Sequence, residues 1–277
     1  MITEALQNGL DTWNQKLLEI WSILTDSITS FRGGGIYNII QIINNSLIGV
    51  GIALCVLFFF MGMMKTMSSF AELRRPEIAV KMFFRFVITH TVVTQALNLM
   101  IKLFDFVQGI VVSIGDKIGT GALEASVPTD VKEYLDGFGF FDSIFPWVLA
   151  LLGSLIIAVL SFMILLTIYS RFFKVYIFTA VAPIPLAGFA GESTSYMGRG
   201  FLKSYISVLF EGVVIILACV IFSAYTSNAP NNIPLDQGAF TATWAYLSDT
   251  IFNLLVLNGI IRLASSLSRE MLGANGG

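Results

Sequence analysis

The chain has 277 residues, of which 56% are hydrophobic and 12% are charged, and its formal net charge is −2. Soluble domains carry about 25% charged residues, so the composition excludes a dissolved domain with an ordinary polar surface. The remaining charges are sorted by sign into alternating short loops. This is the pattern of a polytopic membrane protein that obeys the positive-inside rule.

The sequence contains no motif of an enzyme or a nucleotide-binding site. The phosphate-binding GxxxxGK[ST], zinc-binding HExxH and nucleophile-bearing GxSxG patterns are absent. His90 is the only histidine, and Cys55 and Cys219 lie inside apolar stretches, where cysteine usually acts as a small buried side chain. We therefore expect no catalytic residue, no cofactor and no metal site.

Residues 1–35 are predicted to form an extracytoplasmic amphipathic helix and a glycine hinge. Between residues 3 and 30, apolar side chains recur at steps of three and four and share one face: Leu6, Leu10, Trp13, Leu17, Trp21, Leu24 and Ile28. This face suits a helix lying in the membrane interface, with its tryptophans at headgroup depth. It equally suits packing against neighbouring subunits. Gly33, Gly34 and Gly35 then end the helix.

The first membrane span is predicted at about 39–64. Its outer half carries Gln41, Asn44 and Asn45 before a purely apolar run. Polar side chains at bilayer depth must face protein or water. These three residues are therefore candidates for a lumen or for contact between subunits.

The second span, at about 82–114, lies in the least hydrophobic of the long helices. Gln95, Asn98 and Lys102 follow one another at steps of three and four, which places them on one helix face. Hydrogen bonding between helices and a lumen surface both explain such a series, and the two alternatives stay open.

A proline pair interrupts the chain after the third span. An acidic outer loop at 116–143, with a predicted short helix at about 130–135, leads to the third span at about 145–170. The next segment, 175–190, is apolar but carries Pro183 and Pro185. Proline has no backbone N–H to donate and interrupts a helix. We therefore predict that 175–190 is a broken, re-entrant element.

Two further spans are predicted at about 202–225 and 244–267, followed by a flexible tail at 271–277. Glu211 lies inside the fourth span, where a carboxylate facing lipid is costly. We expect it either to pair with Arg171, with Lys174 or with a neighbouring chain, or to line an aqueous path.

The basic residues indicate the orientation of the chain. With the N-terminus outside and 175–190 returning to its side of entry, eleven of the sixteen Lys and Arg residues are cytoplasmic: Lys65, Arg74, Arg75, Lys81, Arg85, Arg171, Lys174, Arg199, Lys203, Arg262 and Arg269. The C-terminus is then cytoplasmic. Arg171, Lys174, Arg199 and Lys203 form a cluster that is either a topology determinant or a docking surface for a cytoplasmic partner or nucleic-acid phosphate.

These features predict an all-α polytopic membrane protein. It consists of the N-terminal amphipathic helix and a transmembrane domain over 36–270, with five transmembrane helices and the proline-broken re-entrant element.

The segment from Val175 to Tyr225 resembles TrbL-type polytopic subunits of conjugative type IV secretion systems. Ala182 and Pro183 end an apolar stretch, residues 193–195 form a polar Ser-Thr-Ser turn, and a long helix follows from Phe201. The resemblance covers about 36–270, and the compact outer loop is more typical of the Gram-positive form. It implies an oligomeric inner-membrane component through which, or beside which, DNA and protein substrates pass.

The functional expectation is a channel or scaffold subunit of a conjugation machine in the bacterial cytoplasmic membrane. Five spans of one copy cannot enclose a lumen as wide as DNA, so the expected partner is the chain itself, in a ring. The resemblance also implies other secretion-system membrane subunits, cytoplasmic ATPases, lipids and single-stranded DNA in transit as partners. The alternative is a small-solute secondary transporter or ion channel, because broken helices near the midplane often bind such substrates.

Overall fold

The computed structural model describes residues 1–67, 76–118, 125–227, 233–234 and 237–274. Arg74 and Arg75, residues 119–124 of the predicted outer loop and residues 275–277 of the predicted tail lie outside the described residues. Every regular element of the described residues is helical.

Nine α-helices and two short 3₁₀ segments follow one another in the described part of the chain. They are α1 Ile2–Thr25, a 3₁₀ turn Phe31–Gly34, α2 Gly35–Met67, α3 Pro76–Thr94, α4 Ala96–Ile118, α5 Thr129–Asp136, α6 Phe140–Val181, α7 Pro183–Leu186, a second 3₁₀ turn Ala187–Ala190, α8 Ser195–Ser227 and α9 Ala239–Met271.

Five helical segments of the described chain are long and apolar enough to cross a membrane. They are Phe31–Lys65, Ala96–Asp116, Phe140–Val181, Ser195–Thr226 and Ala239–Met271. The prediction of an all-α polytopic membrane protein with five spans is confirmed. The spans themselves extend beyond the predicted limits or start at different residues.

The predicted second helix is divided at Gln95. α3 ends at Thr94 and α4 begins at Ala96, although the Gln95 N–H still donates to the Thr91 carbonyl at 3.0 Å. The hydroxyls of Thr89, Thr91 and Thr94 each donate to the carbonyl four residues earlier. Such bonds commonly bend helices, which gives a local reason for the interruption. The apolar span is α4, whereas α3 carries Glu77, Lys81 and Arg85.

α6 is longer than the predicted third span. Its 42 residues reach about 63 Å, twice the hydrocarbon thickness of about 30 Å. Arg171 and Lys174, which follow the predicted span at 145–170, lie within the helix. No glycine or proline occurs between Gly153 and Pro183, so nothing in the backbone ends the helix at residue 170.

The chain divides into two compact units, and the first contains Met1–Thr25, Val111–Ser170 and Gly212–Ala264. Within it, α1 runs along α6 in the same direction. Lys16 lies over the Phe162 ring, 5.0 Å from its centroid, and the Tyr169 hydroxyl donates to Glu19 at 3.2 Å. A Cβ added to Gly9 would lie 2.9 Å from Ser154 Cα, so the two helices approach closely at this glycine.

This packing corrects both interpretations of the amphipathic helix. The apolar face of α1 is buried within its own chain, with Leu6, Leu10 and Trp13 at most 3% exposed. It therefore faces neither the membrane interface nor a neighbouring subunit. The segment around α5 holds the start of α1, because Thr3 donates to Asp136 and Asn14 bonds the backbone of Ala125 through both amide atoms.

The second unit contains Asp26–Ile110, Arg171–Glu211 and Ser265–Gly277. Its centre is α7 together with the 3₁₀ turn Ala187–Ala190, against which α2 and α3 pack.

We predict that Gly9→Val separates α1 from α6. The added side chain meets the backbone of Ser154, and overpacking of this kind costs about 1–3 kcal/mol. The matched control is Gly49→Val in α2, where an added Cβ meets nothing within 4 Å. Thermal unfolding in detergent should show a lower midpoint for Gly9→Val than for the control. Equal midpoints would refute the close contact.

Candidate functional site

Pro183 breaks the α6 backbone, and a side chain from α2 replaces the hydrogen bond that is lost. In an unbroken helix the N–H of residue 183 would donate to the carbonyl of Thr179, but proline has no N–H. The Asn44 amide nitrogen donates to that carbonyl at 2.8 Å and lies 3.4 Å from the Ala180 carbonyl. The backbone acceptor freed by the proline is therefore satisfied within the chain.

The broken element is shorter than the predicted 175–190. Residues 175–181 continue α6, and the helix does not end before Val181. A proline removes its own donor but leaves the residues before it free to form helix, which accounts for the difference. Pro183 and Pro185 then lie in the four-residue helix α7, before the 3₁₀ turn that leads to Gly191.

The far end of this element is held by α3 and by the following turn. Arg85 Nε donates to the Phe189 carbonyl at 2.8 Å, and the Thr194 hydroxyl donates to the Gly188 carbonyl at 2.8 Å. α2 passes close by, because a Cβ added to Gly51 would lie 2.8 Å from the Pro183 carbonyl oxygen. The element between Pro183 and Ala190 is thus fixed on two sides.

The three polar residues predicted in the first span lie in different environments. Asn44 is fully buried, and its Oδ1 has no hydrogen-bond partner among the described residues. Gln41 and Asn45 are exposed. In this chain Asn44 stabilises the broken helix, whereas the exposed Gln41 and Asn45 remain candidates for a lumen or a subunit contact.

We predict that Asn44→Leu lowers the free energy of unfolding by about 1–3 kcal/mol, because it leaves the Thr179 carbonyl buried and unpaired. The matched control, Asn45→Leu, changes an exposed neighbour and should have little effect. Pro183→Ala should rescue Asn44→Leu, since an alanine N–H at position 183 can donate to the same carbonyl. Chemical unfolding of wild type, Asn44→Leu, Pro183→Ala and the double variant measures this coupling, and additive effects would argue against it.

A cluster of charges lies inside the second unit where α6 meets α8. Arg171 is only 1% exposed and donates from Nε to the Val208 carbonyl at 3.2 Å and from Nη2 to the Leu209 carbonyl at 3.1 Å. Glu211 is 2% exposed, lies 3.6 Å from Lys174 Nζ and interacts electrostatically with Arg171. Of the alternatives for Glu211, the structure therefore favours an ion pair within the chain, with Lys174.

The predicted basic docking cluster is split by the same arrangement. Arg171 is buried and Lys174 is committed to Glu211, whereas Arg199 and Lys203 are exposed. Only these last two residues present free cationic surface to a partner.

We predict that Glu211→Leu destabilises the protein by about 3–5 kcal/mol, because it removes the carboxylate that pairs with Lys174 and lies near the buried Arg171 charge. Glu211→Gln, which keeps hydrogen bonding, should cost less. Arg171→Met combined with Glu211→Leu should recover part of the loss, since an apolar pair can replace a buried ion pair. The control is Glu270→Leu at an exposed position of α9.

Unfolding midpoints in detergent measure these differences. Loss of stability in Glu270→Leu equal to that in Glu211→Leu would show that the buried pair has no special role.

α4 carries a polar stripe on its exposed side. Gln95, at the junction with α3, is exposed, as are Asn98 and Lys102, and the Asn98 amide donates to Gln95 at 2.7 Å. Through the exposed Gly109, the steps of three and four continue to exposed polar residues that were not predicted: Asp105, Ser113 and Asp116. Continuing the steps of three and four along the helix would have found them.

The opposite side of α4 is apolar and buried, with Met100, Phe104 and Val111 at most 1% exposed. Phe106, at the edge of the stripe, is the one large apolar side chain that is exposed among the described side chains of this helix. A membrane-spanning helix that is polar on its exposed side needs water or another protein there. Packing within one copy of the chain therefore buries the apolar side of α4 and leaves the polar stripe exposed, where contact with lipid would be unfavourable.

In the described part of the chain no group of three or more His, Cys, Asp and Glu side chains is placed to hold a metal ion.

Comparison with known families gives a match. The family described as TrbL/VirB6 plasmid conjugal transfer like protein matches residues 13–183, which is more than half of the chain. No curated protein and no solved structure matches. The matched residues include α2, α4, α6 and the Asn44–Thr179 contact at the proline break. The chain therefore belongs to the TrbL/VirB6 plasmid conjugal transfer-like family and is a membrane component of a conjugative transfer system.

Proposed function

We propose that the protein is a channel or scaffold subunit that acts as a homo-oligomer in the cytoplasmic membrane and has no catalytic activity of its own. The observation that carries this proposal is the exposed polar stripe of α4, in a segment apolar and long enough to span the bilayer. Copies arranged in a ring give the stripe an aqueous lumen.

Other helices expose the opposite kind of surface. On α2, the exposed side chains include Ile42, Leu57 and Phe60, and on α6 they include Leu155 and Leu166. These apolar faces suit contact with lipid or with neighbouring helices. A chain that has both kinds of exposed face is suited to assembly around water.

The orientation that we propose has the N-terminus outside and the C-terminus in the cytoplasm. It is supported by the basic residues: nine of the sixteen are then cytoplasmic, without counting Arg171 and Lys174, which lie within α6. In this orientation Arg199 and Lys203 face the cytoplasm. They are available to cytoplasmic ATPases or to the phosphates of single-stranded DNA, whose binding would weaken with salt.

The small-solute transporter is less well supported. In such proteins a broken helix leaves backbone groups open to the substrate. Here the Thr179 carbonyl is occupied by Asn44 and the Phe189 carbonyl by Arg85. Membership of a conjugal transfer family also favours a role beside other secretion-system membrane subunits.

We predict that cysteines on the α4 stripe react with a membrane-impermeant thiol reagent. Asn98→Cys and Asp105→Cys should be labelled in intact membranes. A thiol in contact with water can lose its proton to form the reactive thiolate, and the reagent can reach it there. The matched control is Val50→Cys, which is exposed on an apolar face of α2 and should stay unlabelled. The native Cys55 and Cys219 are both buried, and replacing them provides a clean background.

Labelling of Val50→Cys as fast as the stripe positions would mean that the reagent does not distinguish the two faces. Protection of both stripe positions in the assembled complex would contradict an aqueous lumen at α4.

A further inference from the structure

A groove in the second unit is lined by basic and apolar side chains and has a cavity volume of about 820 Å³. This volume lies within the range of about 300–1,000 Å³ that is typical of ligand sites. α3 provides Lys81, Arg85, Ile88 and Val92, and Glu192 is the one carboxylate among the described residues that line the groove.

The order of these residues along the chain separates charge from apolar surface. Lys81 and Arg85 come first, Ile88 and Val92 follow, and Val92 lies about 16 Å beyond Lys81 at the helical rise of α3. Half of the hydrocarbon core is about 15 Å thick. A ligand with a charged head and hydrocarbon tails matches this order, whereas a soluble polar ligand does not.

The charged end of the groove favours an anion. Lys81 is exposed and makes no ion pair among the described residues. Arg85 uses Nε for the Phe189 carbonyl, and its terminal nitrogens carry the remaining donors. Counted over the described residues, two cations and the Glu192 carboxylate give the lining a net charge of about +1, which one phosphodiester neutralises.

We propose that this groove binds phosphatidylglycerol from the surrounding bilayer. Its phosphate accepts hydrogen bonds from Lys81 and Arg85, its headgroup hydroxyls donate to Glu192, and its acyl chains lie along Ile88 and Val92. Basic pockets between transmembrane helices bind anionic headgroups in this way. A zwitterionic headgroup brings equal positive and negative charge and leaves the lining uncompensated. The site does not depend on a ring of subunits.

The test uses the full chain, delipidated in mild detergent. Phosphatidylglycerol and phosphatidylcholine with identical acyl chains are titrated separately, and bound lipids are counted by native mass spectrometry. Wild type should retain phosphatidylglycerol in preference. Lys81→Gln should weaken phosphatidylglycerol binding about fivefold and leave phosphatidylcholine unchanged, while Lys81→Arg should keep the preference. Lys203→Gln, an exposed cation outside the groove, is the matched control.

A second variant tests where the tails lie. Ile88→Trp fills the apolar part of the groove and should reduce retention of both lipids, with unfolding midpoints of the lipid-free proteins showing that each variant is folded. Equal retention of the two lipids by wild type overturns the proposal. A preference for phosphatidylcholine, equal losses in Lys81→Gln and Lys203→Gln, or unchanged retention in Ile88→Trp also overturns it.

Discussion

The requirement that every backbone polar group be satisfied inside a bilayer governs the arrangement of this protein. Pro183 removes a donor near the end of α6, and the freed Thr179 carbonyl is met by Asn44 from α2. Arg85 from α3 meets the Phe189 carbonyl at the other end of the broken element. α2 and α3, which are far away in sequence, are thereby both hydrogen-bonded to the short segment around the break. The break is tolerated because its hydrogen bonds are supplied from outside the helix.

The same rule separates the polar residues of the membrane-spanning helices into two groups. One group points inward and binds backbone carbonyls or an opposite charge. Asn44 donates to the carbonyl freed at the helix break, Arg171 donates to two carbonyls of α8, and Glu211 pairs with Lys174. The other group is the exposed stripe of α4, whose side chains have no comparable role in the described chain. The first group is explained by the fold of one copy. The second requires something beyond it, and the lumen that we propose, shared by several copies, would supply it.

The sequence was sufficient for the five spans because their apolar length does not depend on tertiary contacts. It was also sufficient to locate the helix break at Pro183, since proline acts locally. It could not assign Asn44, whose acceptor is 135 residues away and is created by that proline. Nor could it place the α1 stripe, because the surface that buries it belongs to α6. The periodicity of α4 was visible, but only burial of its other side showed which face is exposed.

The central claim is that copies of this chain surround water with their α4 stripes. The most direct test is the distance between identical spin labels on neighbouring copies in a membrane, with the label at Asn98 in one sample and at Val50 in the other. The account predicts a dipolar signal between copies at both positions and a shorter distance at Asn98, which would lie nearer the axis of the ring. Absence of any signal between copies, or a shorter distance at Val50, would contradict it.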